Sequence, residues 1–243
     1  MTEHLTLAGI AFLGALIFGI TGFGSGLVTI PLATHLVPLQ FALALFAVAD
    51  LMSALRVGLE KPKNAVRSEW TRLVPMILVG TALGVTVLVN LPRTASMVLL
   101  GTFILCYALY TLLRRSTSRI VSVGWAWLAG FAGGISSTLF GAGGPPYAIY
   151  LSMRGLTKEQ FRATMGFATI TSIGLRVGAF VLVGPLREKE IWIAAAFVLP
   201  AVLAGLFVAS KVFRVLPREQ VMRAVALMLV LSGASLLWRA AAT

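Results

Sequence analysis

Apolar runs long enough to cross a bilayer recur from one end of the chain to the other, and this limits the fold more than any other feature. They extend over Leu5 to Leu36, Phe41 to Val57, Leu73 to Asn90, Ala95 to Leu113, Val123 to Met153, Phe161 to Val183, Ile191 to Val212 and Gln220 to Trp238. About 20 helical residues span the ~30 Å hydrocarbon layer. Inside that layer backbone N–H and C=O groups must be satisfied without water, which uninterrupted apolar segments achieve as helices. The expected fold is therefore an all-α polytopic membrane protein in a single domain. Composition excludes the ordinary soluble alternative: 58% of residues are hydrophobic, 12% are charged, and mean hydropathy is +0.94. The net charge of +12 does not imply nucleic acid as a partner, because the basic residues fall in short loops where they meet lipid headgroups. Glu3 and His4 stand where a signal peptide would carry basic residues, so no cleaved signal is expected. The single cysteine, Cys106, permits no internal disulfide and is expected to serve packing. No metal site, cofactor or catalytic residue is expected.

Two runs are broken by glycine. Residues 21–32 read TGFGSGLVTIPL, and residues 140–151 read FGAGGPPYAIYL. Gly22, Gly24, Ile30 and Leu32 fall on Gly141, Gly143, Ile149 and Leu151 at a shift of 119, and LRVG at 55–58 recurs at 175–178. At a shift of 125, Pro75 and Gly80 meet Pro200 and Gly205, and LPR at 91–93 recurs at 216–218. The collinear order of these matches indicates a duplication. Repeat 1 covers 1–113, a basic linker containing RRSTSR covers 114–122, and repeat 2 covers 123–243.

Charge decides whether the repeats are parallel or inverted. A single pass over Leu5 to Leu36 would divide the loop Lys and Arg residues 11 to 8, leaving Arg176 aside as intramembrane. If the broken segment instead enters and returns as a hairpin, the loops at 56–72, 114–119, 154–162 and 211–223 share one side and collect 15 basic residues. Only Arg93, Arg187, Lys189 and Arg239 face the other side. Such an excess marks the cytoplasmic side. Each repeat is then a glycine-broken hairpin followed by three transmembrane helices. The two repeats are inverted, and both termini face away from the cytoplasm.

The stretches after the glycines, Leu27 to Leu36 and Pro145 to Met153, are about 10 residues, or roughly 15 Å of helix. A helix that starts at mid-depth presents unpaired N–H groups and the positive end of its dipole, for which an anion is the natural ligand. Ser25 is placed to cap the first half-helix, and Pro145 and Pro146 suit the opening turn of the second. In secondary transporters, interrupted helices at matching positions of inverted repeats place the substrate where the breaks meet. The competing reading is that the glycines only let helices pack closely.

The doubled signature GFGSGLVTIPL and FGAGGPPYAIYL, the two-half layout and the small size resemble the TauE/SafE sulfite exporter family. The resemblance covers nearly the whole chain. It implies a secondary transporter of the inner membrane for sulfite, an organosulfonate or a related small sulfur-containing anion. The glycine-rich breaks then supply the candidate substrate contacts Gly22, Gly24, Ser25, Gly26, Gly141, Gly143 and Gly144.

Few polar residues lie inside the apolar runs. Thr169, Ser172 and Arg176 share one helical face at i, i+3 and i+7, so they should face the bundle interior. The guanidinium of Arg176 offers a planar fork of donors suited to a sulfonate or sulfite, or alternatively a partner for Asp50. Asp50 is the one carboxylate within a span and would either carry a coupling proton or pair with Arg176. Arg56, the repeat mate of Arg176, sits near a helix end with Glu60 at i+4 and reads as structural or as a gate. His35 closes the first half-helix. Tyr147 and Tyr150 line the second, with Tyr147 the better site candidate.

Enzymatic readings lack support. Phe23-Gly24-Ser25-Gly26 departs from a serine nucleophile motif, and no nucleotide-binding fingerprint occurs. An anion channel built on the same half-helix dipoles is the main alternative to a carrier.

Overall fold

A computed structural model describes residues 2–113, 120–212 and ten positions between 226 and 238. Nine α-helices are described in full: α1 Thr2–Thr21, α2 Ser25–Ala33, α3 Leu39–Gly58, α4 Arg67–Asn90, α5 Arg93–Leu113, α6 Trp125–Phe140, α7 Gly144–Ser152, α8 Lys158–Val183 and α9 Lys189–Val212. The described positions at 226–238 are helical too. Six of the fully described helices are long and apolar enough to cross a membrane. Residues 114–119 of the basic linker, 213–223 of the basic loop, the first part of the run Gln220 to Trp238 (220–225) and Arg239 lie outside the described residues.

Among the described residues, each expected run as far as Val212 forms a helix or a broken pair of helices, and the breaks fall at the glycines. At the end of α1, Gly22 takes φ +84° and returns its N–H to the Phe18 carbonyl at 2.7 Å. At the end of α6, Gly141 takes φ +67° and returns its N–H to the Ser137 carbonyl at 3.0 Å. Left-handed backbone of this kind strains side-chain-bearing residues, so these glycines end their helices. The resumed helices α2 and α7 have nine residues each, or roughly 13 Å at 1.5 Å per residue. They are half-membrane helices, as expected. Pro145 and Pro146 occupy the first turn of α7, where a missing N–H costs little.

Helices α3 and α8 occupy the centre, with α1 and α9 paired on one flank and α4 and α6 on the other. The small residues of each pair determine which helices come close. His4 stacks on Phe197, Gly205 lies against Phe12 and Ala15, and Gly19 lies against Ala209, so α1 and α9 run in the same direction. Gly130 lies against Leu73, Gly134 against Ile77, and Gly84 against Thr138, so α4 and α6 also run together. A Cβ added at Gly134 would sit 2.5 Å from the Ile77 carbonyl oxygen. The backbones therefore touch, which substitutes for the hydrophobic force that lipid does not provide. Gly58 meets Gly166 while Asp50 meets Arg176, so α3 and α8 cross antiparallel. Gly14 faces Thr29, placing α2 back alongside α1 as a hairpin.

Cys106 departs from expectation. It is exposed on α5, a helix whose neighbouring Leu99 and Leu109 are also exposed. An apolar run fixes that α5 is a helix, but its apolar residues suit lipid and protein equally well.

Candidate functional site

The two breaks meet. A Cβ on Gly26 would strike the carbonyl of Gly141, and one on Gly144 would lie 2.5 Å from the Cβ of Phe23. The first turn of α2 thus rests on the end of α6, and the first turn of α7 on the loop that precedes α2. Between these tips pass the middles of α3 and α8, which bring in the charged groups.

Arg176 is fully buried, and its Nη2 donates to Asp50 Oδ2 at 2.9 Å while Nη1 donates to the Ser137 carbonyl at 2.8 Å. Asp50, only 3% exposed, accepts a second bond from Ser25 Oγ at 2.5 Å. The Asp50 carboxylate therefore faces the first residue of α2, where an anion is favoured by the dipole, while the guanidinium faces the last turn of α6, where a cation is favoured. One ion pair answers two helix ends at once. Arg176 Nε has no partner among the described residues.

This arrangement alters the expected part of Ser25. The residue preceding α2 is Gly24, at φ +91°, and no side chain caps the helix. Ser25 already lies inside the first turn, and its hydroxyl turns to Asp50 because a buried carboxylate is the stronger acceptor.

The start of α7 is different. Tyr147, fully buried, donates to Ser172 Oγ at 3.0 Å, and a Cβ on Gly143 would lie 3.1 Å from that same oxygen. Hydroxyls occupy this tip, with no carboxylate hydrogen-bonded to them among the described residues. Thr169 is buried on the same face of α8 but bonds its own helix at the Met165 carbonyl, 2.7 Å away. The stripe of Thr169, Ser172 and Arg176 faces inward, as its spacing requires.

Arg56 lies apart from this centre. Its expected partner Glu60 pairs with Arg162 at 3.3 Å instead. Arg56 is exposed and forms no ion pair among the described residues. It lines a cavity of about 860 Å³ that extends to Gly19 and Gly22 at the end of α1. His35 is exposed in the turn beyond Thr34, which closes α2.

One polar cluster escaped the sequence reading. Glu69, 5% exposed, receives Arg154 Nη2 at 2.9 Å and Nε at 3.1 Å, and accepts Tyr150 Oη at 2.5 Å. Arg154 also donates to the Val121 carbonyl. The cluster ties the far end of α7 to the start of α4, with Tyr150 as a buried anchor between them. The available signal was weak: Glu69 is a lone acid between Arg67 and Arg72 in a segment otherwise read as a basic loop.

Two interrupted helices meeting tip to tip inside a helical membrane bundle, around a buried ion pair, define a membrane transporter. The chain belongs to the sulfite exporter TauE/SafE family, which it matches over residues 7–236. It is also 25% identical over 174 residues, 69% of this chain and 72% of the relative, to a probable inner membrane transporter protein, TsaS, of Comamonas testosteroni. No solved structure matches the chain.

Proposed function

We propose that the protein is a secondary carrier of sulfite, an organosulfonate or a related sulfur-containing anion, with the substrate held near mid-membrane between the tips of α2 and α7. The observation that carries this reading is the meeting of the two half-helix starts, Gly26 against Gly141 and Gly144 against Phe23, beside Arg176. The α2 tip already faces the Asp50 carboxylate, so the substrate's negative charge is better received at the α7 tip. Gly141, Gly143, Gly144, Tyr147, Ser172 and Arg176 are its nearest donors or closest walls, with Gly22, Gly24, Ser25, Gly26 and Thr169 shaping the rest.

Two inverted repeats, 1–113 and 123–243, provide the frame. Helix directions support this: α3 and α8 correspond in the repeats and run antiparallel, and the α1–α9 pairing has its counterpart in α4–α6. The side carrying Arg56, Lys61, Lys158 and Arg162 is the cytoplasmic one by its basic excess, with both termini outside. The TsaS relative, a probable inner membrane transporter, supports the inner membrane as the location, and membership of a transporter family favours a carrier over a channel. The test is counterflow in proteoliposomes. Saturable uptake of labelled sulfite or methanesulfonate, accelerated by the same anion inside, is expected. Flux without saturation or counterflow refutes a carrier, and counterflow by neither anion refutes the substrate class.

A further inference from the structure

The cavity beside α1 is built differently from the buried centre. Its lining carries four cations, Arg56, Lys61, Lys158 and Arg162, against two carboxylates, Glu60 and Glu159. Glu60 is engaged by Arg162. Arg56, Lys61 and Lys158 pair with no carboxylate among the described residues. Below this rim the wall is apolar, formed by Ile20, Val57, Phe161, Met165, Leu206 and Phe207.

The repeat explains why Arg56 is unoccupied. Arg176, its mate in LRVG, is held by Asp50 and by the Ser137 carbonyl. The position matching Asp50 in the second repeat is Ile170. Arg56 has consequently lost the counter-charge that its mate possesses, and it stands in an open space with its whole donor fork available. A smaller cavity of about 290 Å³, lined by Gln40, Phe180, Glu188 and neighbours, occupies the corresponding place in the other repeat and contains no basic residue. The cationic rim is specific to the Arg56 side.

We propose that this cavity binds an amphiphilic organic anion, with Arg56 gripping the oxyanion head and Ile20, Val57, Leu206 and Phe207 walling an apolar body. The inference rests on the transporter reading and narrows its substrate class. A planar guanidinium matches two oxygens of a sulfonate-like head. A bare inorganic oxyanion needs polar contacts on all sides and gains nothing from apolar walls. An organic body gains burial at every wall, in a space of the size typical for ligands larger than a single oxyanion.

The experiment is calorimetric titration of the full chain in lipid nanodiscs with benzenesulfonate, methanesulfonate and sulfite. Benzenesulfonate is expected to bind at least tenfold more tightly than the other two. Arg56→Gln should weaken it tenfold or more, with Arg56→Lys recovering part of the loss. Phe207→Ser, at an exposed position, should bring benzenesulfonate down to the affinity of methanesulfonate and leave methanesulfonate unchanged. Equal affinities of the three anions for the unaltered protein overturn the proposal without any variant, as does full benzenesulfonate affinity in Arg56→Gln. If sulfite shows counterflow while benzenesulfonate neither binds nor competes, this inference fails and the carrier reading stands. If benzenesulfonate binds but no anion shows counterflow, the carrier reading fails.

Discussion

Replacing Asp50 by asparagine removes the counter-charge of an arginine that has no access to solvent. Arg176 keeps its bond to the Ser137 carbonyl, and the amide oxygen can accept from either Arg176 or Ser25. What disappears is the charge. Breaking a buried pair by removing one partner costs about 3–5 kcal/mol, and the retained acceptor puts Asp50→Asn near about 3 kcal/mol. For a chain of this size that is a fall of roughly 6–12 °C in melting temperature. The double variant Asp50→Leu with Arg176→Met should lose less. Replacing both members of a buried pair by apolar residues is often close to neutral, and the Ser137 carbonyl still receives the Gly141 N–H at 3.0 Å. Only the Ser25 hydroxyl is stranded, at about 1–3 kcal/mol. Thermal unfolding of the two purified variants and the unaltered protein, followed by intrinsic fluorescence, measures both losses. The refuting result is an Asp50→Asn protein that keeps the unaltered melting temperature and anion affinity but no longer couples transport to a pH gradient. Asp50 would then be a proton carrier and not the counter-ion of Arg176.

Arg176→Lys should impair transport nearly as much as Arg176→Ala, because a point charge cannot reach Asp50 and the Ser137 carbonyl as a planar fork does; initial uptake rates in vesicles decide, and full activity in the lysine variant would contradict this. Gly26→Ala drives a Cβ into the Gly141 carbonyl and should destabilise by about 3 kcal/mol, whereas Gly9→Ala, inside α1 with nothing within 4 Å, should melt no lower than the unaltered protein. Tyr150→Phe removes a bond to a charged acceptor and should cost about 1.5–3 kcal/mol, against about 1 kcal/mol for Tyr147→Phe, whose partner is a neutral hydroxyl; equal melting temperatures would contradict the Glu69 anchor. A reporter active only in the cytoplasm, fused after Thr243, should stay silent, and a strong signal would remove the inverted arrangement.

The sequence by itself determined the helices and their interruptions. Hydrocarbon requires each segment to satisfy its own backbone, so an apolar run becomes a helix wherever it later packs, and Gly22 and Gly141 end theirs through local backbone geometry. The spacing of Thr169, Ser172 and Arg176 likewise fixed an inward face from helical periodicity alone. Tertiary structure decided which groups meet. The sequence offers an Asp50–Arg176 pair as one of two readings, but its union with Ser25 and the Ser137 carbonyl depends on four segments converging, and the turning of Ser25 from cap to carboxylate partner follows from that convergence. Glu69 looked like a loop acid until α7 delivered Tyr150 and Arg154 to it. Cys106 looked packed but faces outward. The physical reason is common to these cases: lipid tails and protein interior are equally apolar, so hydropathy identifies a membrane helix without saying which face meets protein. Pairings between residues distant in sequence leave no local trace, and only the packed bundle brings them together.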